Sequence, residues 1–411
     1  MLSIEDNEKI TKTGPGTPMG ELFRRFWVPA LLSSELPERD GTPVRFKLLS
    51  ERLVAFRDSD GRIGILEERC PHRHASLYWG RNEECGLRCV YHGWKFDVDG
   101  KCLDMPAEPA DSRFKEHVSA IAYGAHEAGG IIWAYMGPKE KQPPFPEFEW
   151  QFYPEEHSFA HKRLQQCNWL QNLEGELDTA HLNFLHRQWG DGEVMPPDDL
   201  RRKRFFLAET DFGLLLMARS DSGPDQYYWR MTPFHLPSYT LIPDQPVNSF
   251  TAAVPIDDTS MWGFTVHWKT DGALPPERRM YMDVDPKTFM PVRNMQNEYL
   301  RDREKQLHVN WTGIDGIRTQ DMAVQEDQDG PICRRWEEHL GTTDRGIVGS
   351  RRLLLHLAEQ LEQGIEPPQP WHPQAYRIHS VGVTAPRDAG PVAMFKERQP
   401  VPEAIGIGSI E

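Results

Sequence analysis

With 411 residues the chain exceeds the length at which a single hydrophobic core stops growing, so two domains are expected. Its 62 acidic against 47 basic residues give a formal net charge of -15, which argues against a polyanion-binding surface and against nucleic acid as a partner; small anions remain open through local arginines. Six scattered cysteines, an acidic N-terminus (MLSIEDNEKITK) without an apolar h-region, and no run near the ~18 apolar residues of a membrane span together predict a reduced, cytoplasmic, unexported protein.

Residues 1–42 read as an N-terminal helical segment. In TGPGTPMGELFRRFWVPA the glycines Gly14, Gly16 and Gly20 have the wrong spacing, and no preceding strand, for a dinucleotide loop. Thr17 instead caps a short helix with Pro18 at its first position and Leu22, Phe23 and Phe26 as its apolar stripe. From residue 43 to about 145 the pattern is β-rich: LLSERLVAFR, an Asp60-Gly61 turn, RIGILEE, a second turn at Asp99-Gly100 and strand-like GGIIWAYMG. The proline-rich KQPPFPEFEW reads as a linker.

Within this block lies CPHRHASLYWGRNEECGLRCVYHGWKF. Cys70 and His72 form a Cys-x-His pair, Cys89 and His92 a Cys-x2-His pair, and sixteen residues separate the pairs. Each pair fits a tight loop presenting one thiolate and one imidazole, so two loop tips clamp one metal unit: a Cys2His2 zinc, or a [2Fe-2S] centre with thiolates on one iron and imidazoles on the other. Pro71, Gly86, Gly93 and Trp94 shape the loops and add an aromatic shield suited to a redox cluster. Cys85 is a loop neighbour, and Cys102, Cys167 and Cys333 are reduced, partly buried thiols.

Residues 146–411 form the second domain. It opens on CNWLQNLEGELDTAHLNFLH (167–186), where Glu174, Asp178, His181 and His186 place two imidazoles and two carboxylates within one short stretch. Two neutral imidazoles and a carboxylate suit a divalent iron with open positions, and equally a zinc. Five residues turn a regular helix by about 140°, so His181 and His186 require the helix to bulge or end between them. Asp178 shares a helical face with both Glu174 and His181. The runs RFFLAETDFGLLLMAR, YYWRMTPFHLPSYTLIP and SFTAAVPIDDTSMWGFTVHW then predict an antiparallel sheet, GSRRLLLHLAEQLEQG (349–364) a helix, and the chain from Glu366 an irregular tail.

The Cys-x-His and Cys-x2-His pairs resemble the cluster-binding signature of Rieske proteins. With the 174–186 segment, the chain resembles the large (alpha) subunit of Rieske non-haem iron ring oxygenases. TGPGTPMGELFRRFWVPA, RNEECGLRCVYHGWKFD and CNWLQNLEGELDTAHLNFLH are most similar to the phthalate dioxygenase group, whose members act on aryl carboxylates; His74 stands where a smaller residue is common, and reads as a loop side chain. The resemblance implies an α+β architecture: a small all-β Rieske [2Fe-2S] domain at 43–145, and a larger antiparallel-sheet catalytic domain flanked by helices (helix-grip-like) at 146–411. It implies a cluster at Cys70, His72, Cys89 and His92, and mononuclear Fe(II) at His181, His186 and a downstream carboxylate matching Asp321 in QDMAVQE. The sequence does not separate Asp321 from Asp315, Glu326 or Asp327. It also implies that Asp178 bridges an iron histidine to a cluster histidine of a neighbouring subunit in a homotrimer or hexamer.

The implied activity is that of a terminal oxygenase, hydroxylating an aromatic carboxylate with O2 to a cis-dihydrodiol or hydroxylated ring. Electrons would come from a separate NAD(P)H-dependent flavin and iron-sulfur reductase. The chemical alternative is O-demethylation or ether cleavage of a methoxylated or diaryl carboxylate; rivals from other classes are a non-catalytic Rieske electron carrier and a colourless zinc-binding interaction protein. A buried substrate carboxylate needs a cation. Arg230, in an aromatic strand-like run, is preferred to the charge run Arg201, Arg202, Lys203 and Arg204. Tyr228, Trp229, Phe234 and His235 are candidate ring walls, with about half of them expected in the core, and Leu182 is a candidate apolar floor.

Overall fold

Trp27–Leu32 (WVPALL) is apolar throughout and buried throughout, as a strand covered on both faces must be. In the computed structural model, which describes residues 2–189, 202–244, 246–278 and 282–411, it pairs antiparallel with the equally buried Ile131–Tyr135. The first sheet therefore begins at residue 27, inside the stretch read as helical. Helix there is confined to Ile4–Thr11 and Pro18–Phe23, the second capped by the Thr17 side chain with Pro18 at its start.

The first sheet runs in the order Trp27–Leu32, Ile131–Tyr135, Ala122–Ala128, Ile63–Glu67, Glu51–Arg57, Val44–Leu48. A smaller sheet of Arg81–Glu83, Gly86–Arg88, Lys95–Phe96 and Cys102–Asp104 packs on it. The loop at 89–94 joins two strands of the smaller sheet, and the loop at 70–75 leaves the larger one, so the two metal-ligating loops come from two sheets that share a core of Val54, Phe56, Leu66, Leu87 and Phe96.

In the second unit eight strands among the described residues form one antiparallel sheet: Ser158–Gln165, Ser260–Trp268, Val247–Asp257, Tyr239–Asp244, Gln226–His235, Gly213–Asp221 and Arg204–Thr210 in order, with Val381–Pro386 beside Gln226–His235. That last strand lies in the stretch read as an irregular tail. VGVTAP alternates, burying Val381 and Ala385, and a second tail element, Pro391–Lys396, is helical; the flanking prolines mask a short edge element that tertiary pairing stabilises. The long helix Arg345–Glu362 buries Leu354, Leu357, Ala358 and Leu361, the i, i+3, i+4, i+7 spacing of an amphipathic helix.

The proline-rich stretch is a joint. Phe148 stacks on Trp150 at 4.4 Å and on Trp133 at 5.2 Å, and both Phe148 and Trp150 reach Phe250 of the second sheet. Backbone bonds from Leu49 and Ser50 to Pro255 and Ile256 add to the contact, so one apolar core runs through both units. No described helix is long and apolar enough to cross a membrane.

Candidate metal centres

The two cysteine-histidine loops have the same backbone plan. Cys70 N–H donates to Ala75 O and His74 N–H to Cys70 O; Cys89 N–H donates to Trp94 O and Gly93 N–H to Cys89 O. The fifth residue of each loop is left-handed, Gly93 at φ 78° and His74 at φ 59°, which explains His74: it fills a position where glycine is unstrained. Its side chain is exposed. The loops bring the His72 and His92 rings to 4.4 Å, with Trp94 stacked on His72 at 4.2 Å. Cys70 and Cys89 are buried and share a hydrogen bond, which raises the Cys70 thiol and lowers Cys89 to about 6.

Two converging sulfurs on one side and two converging imidazoles on the other match the asymmetric ligation of a Rieske cluster. His72 Nδ1 is buried and makes no hydrogen bond within the chain, as suits a nitrogen that faces a metal. The four residues fit the [2Fe-2S] group.

The second site starts at helix Trp169–Leu177, which Asn168 caps by accepting from Leu170 N–H. The helix ends before both histidines, not between them. Asp178 terminates it and then accepts from Ala180 N–H at 2.7 Å and His181 N–H at 3.3 Å, so its side chain nucleates the next turn. His181 and His186 bracket the one-turn helix Leu182–Leu185, with ring centroids 5.1 Å apart. Glu174 leaves this face altogether: buried, it binds Arg335 at 3.0 Å and Arg351 at 2.6 Å, and Arg351 continues to Glu338. Its carboxylate is structural.

The carboxylate that does approach is Asp321, on helix Ile317–Glu326. Its Oδ1 lies 3.1 Å from His186 Nε2 and 3.6 Å from His181 Nε2. Asp315 instead pairs with Lys305 at 2.7 Å, and Glu326 accepts from Gln166 N–H and from Tyr299 Oη–H; Asp327 is exposed. The two helices approach closely at Gly175, where a Cβ would stand 2.2 Å from Gln325 Nε2, and Gln325 is held by Gln165 at 2.7 Å and Asn172 at 3.1 Å.

Both imidazoles are oriented from behind. Asp178 Oδ2 lies 3.2 Å from His181 Nδ1, and an ionised carboxylate only accepts, so the proton is on Nδ1. Burial works against that charge, but the hydrogen bonds from His181 and Ala180 outweigh it and keep the Asp178 carboxyl below its usual range. Gln320 does the same for His186: its Nε2 donates to Ile314 O at 2.8 Å, leaving Oε1 to accept from His186 Nδ1 at 2.8 Å. Each histidine thus turns an unprotonated Nε2 toward Asp321 Oδ1. Three acceptors within 4.8 Å of one another need a cation between them, so the donor set fits a 2-His-1-carboxylate iron. Gln320 carries no sequence signal as part of this site, because its contact with His186 spans 134 residues; the same holds for the buried pair Glu176 and Arg318, which joins the two helices beside Asp321.

These groups open onto a cavity of about 580 Å³. Leu182 and Arg230 line it, as expected, together with Ile242, Pro243, His267 and Arg278. Arg230 Nη1 donates to Pro243 O at 3.1 Å. The expected ring walls are elsewhere: Phe234 and His235 are fully buried, Trp229 packs on Phe206, and Tyr228 is on the surface. Burial holds His235 down to about 3, making it a neutral core imidazole. Of the basic run, Arg202 lies 3.9 Å from Asp221, Arg202, Lys203 and Arg204 are not among the described residues lining the cavity, and Arg201 lies outside the described residues.

Comparison with known proteins bears on both centres. A family model described as "Rieske [2Fe-2S] domain" matches residues 26–120, and one described as "LigXa C-terminal domain like" matches residues 134–374. The chain is 38% identical to the phthalate 4,5-dioxygenase oxygenase subunit of Pseudomonas putida, over 89% of this chain and 88% of that protein. It is 34% identical to the 5,5'-dehydrodivanillate O-demethylase oxygenase subunit of Sphingobium sp., over 89% and 83%. The fold is similar to that in the reduced complex between oxygenase and ferredoxin in carbazole 1,9a-dioxygenase, with TM-score 0.58, 19% identity, and coverage of 89% of this chain and 98% of that one.

Proposed function

The chain belongs to the Rieske non-haem iron oxygenases, as an oxygenase subunit with a LigXa-type C-terminal domain, and from that premise we propose that it hydroxylates an aromatic carboxylate held in the 580 Å³ cavity. The observation that carries the reading is the convergence of His181 Nε2, His186 Nε2 and Asp321 Oδ1 at the wall of a cavity that Arg230 also lines. When bound, the [2Fe-2S] cluster supplies single electrons and the mononuclear iron supplies oxygen activation.

The chain's own groups do the rest. Arg230 pairs with the substrate carboxylate, whose burial without a cation is costly. Leu182, Ile242 and Pro243 offer the ring apolar contact and exclude water. Asp178 holds the proton on His181 Nδ1, and its remaining 22% side-chain exposure supports a second task, accepting from a cluster histidine of a neighbouring subunit and so joining the two centres across a trimer or hexamer. Exposed Val90 and Tyr91 beside His92 support an interface at the cluster loops. Electrons come from a separate NAD(P)H-dependent flavin and iron-sulfur reductase, and the six unpaired cysteines suit a cytoplasmic enzyme.

O-demethylation of a methoxylated or diaryl carboxylate is the second reading. The similarity to a dehydrodivanillate O-demethylase favours it, and a cavity of this size is roomy for a single ring. Incubation with phthalate-like, chlorobenzoate-like and methoxylated carboxylates, O2 and a surrogate reductase separates the readings. A cis-diol or ring hydroxyl marks hydroxylation, formaldehyde marks demethylation, and no consumption of any aryl carboxylate would overturn both.

A further inference from the structure

Asp321 has two oxygens, and only one of them faces the histidines. Oδ1 lies 3.1 and 3.6 Å from the imidazole nitrogens, while Oδ2 lies 3.6 Å from Nη1 of Arg318, one helical turn earlier. Arg318 is buried, with 7% of its side chain exposed, and its partner Glu176 is buried too. A guanidinium is not deprotonated in proteins, so Arg318 is a buried cation between the two carboxylates.

We infer that Arg318, anchored by Glu176, is a positioning residue that keeps Asp321 a one-oxygen ligand and leaves adjacent coordination positions open. The inference rests on the reading of Asp321 as the iron carboxylate. A carboxylate whose second oxygen faces a fixed buried cation gives up electrostatic stabilisation if it rotates both oxygens toward a metal. Glu176 sets the balance. It neutralises Arg318, since a lone buried charge is costly, and it draws the guanidinium toward the Trp169–Leu177 helix, leaving a gap to Oδ2 longer than a hydrogen bond. Without Glu176 the guanidinium closes on Asp321 and competes with the metal.

The test uses the full-length protein with its mononuclear iron exchanged for cobalt(II), whose d–d bands report coordination number; the cluster's visible spectrum and the melting temperature report the fold. Asp321→Ala is expected to abolish the cobalt bands, and wild-type bands there would overturn the underlying reading. A Glu176→Gln, Arg318→Gln double variant removes the charge pair without orphaning either member. Its cobalt bands are expected to lose about half their intensity or more as the second carboxylate oxygen joins the metal. Bands identical to wild type in the double variant would overturn the positioning role while leaving Asp321 as a ligand. Glu176→Gln alone keeps the guanidinium but releases it toward Asp321, and is expected to weaken cobalt binding about tenfold; unchanged affinity would also overturn the inference.

Discussion

Replacing Asp178 with asparagine changes one atom and removes one acceptor. The carboxylate accepts from Ala180 N–H on Oδ1 and from His181 on Oδ2, and an amide has only one oxygen to serve both sides. If that oxygen stays with Ala180, the NH2 faces His181 Nδ1, and the ring resolves the clash by carrying its proton on Nε2, where it points at Asp321. If the amide flips, Ala180 N–H loses its partner. Either way one hydrogen bond is lost with a donor unsatisfied, at a cost of about 1–3 kcal/mol. The side chain is 22% exposed, so water offsets part of this and the lower half applies, about tenfold in metal affinity. The assay compares iron per chain with the rate at which O2 and substrate reoxidise the pre-reduced cluster. If Asp178 also joins the two centres, as proposed, reoxidation slows by more than the iron content falls. Asp178→Asn with full turnover would refute the reasoning, and equal losses of iron and turnover would reduce Asp178 to a local orienter of His181.

Three further outcomes are expected. Arg230→Gln removes the charge proposed to face the substrate carboxylate and should raise KM about 10-fold to 100-fold with little change in iron or cluster content, since hydrogen bonds to charged groups contribute about 1.5–3 kcal/mol; steady-state kinetics with metal analysis checks it. Glu174→Gln leaves Arg335 buried without a counter-charge and Arg351 with Glu338 alone, and should cost about 3–5 kcal/mol at neutral pH. Burial pushes the Glu174 carboxyl up, but the two arginines outweigh it and hold the folded value below the usual 4.5; its stabilisation is therefore complete above pH 4.5 and is lost as pH falls below, so denaturation midpoints of variant and wild type should converge in acid. Gly175→Ala drives a methyl into the pinned Gln325 amide, which should cost about 1–3 kcal/mol and, by shifting the Asp321 helix, lower mononuclear iron while sparing the cluster, measured by metal content and visible absorbance.

The cluster residues were legible because each pair lies within four residues and the loop alone determines where thiolate and imidazole point. His181 and His186, five apart, were legible because a single short turn carries both. The position of the helix end was not, because Asp178 leaves the helix to cap the next turn, a choice made by side-chain hydrogen bonds and not by periodicity. Asp321 could not be separated from its acidic neighbours: what distinguishes it is the packing of Ile317–Glu326 against Trp169–Leu177 through Gly175 and Gln325, across about 150 residues. Alternation from Tyr228 to Met231 gives way to burial on both faces through His235, so period alone does not say which residues meet a cavity. Arg230 lines it while Trp229, Phe234 and His235 go to the core. Trp27–Leu32 and Val381–Pro386 escaped because a partner strand far away in sequence, not local propensity, makes each of them a strand.

In the proposed assignment one chain holds a Rieske cluster at Cys70, His72, Cys89 and His92 and a separate iron at His181, His186 and Asp321. Iron and acid-labile sulfide counts on purified wild type and Asp321→Ala, read beside the visible spectrum, test it most directly. About three irons and two sulfides per chain are expected in the wild type, and loss of a single iron with an unchanged cluster spectrum in the variant. A wild type with only two irons, or a variant that loses the cluster spectrum along with its iron, would contradict it.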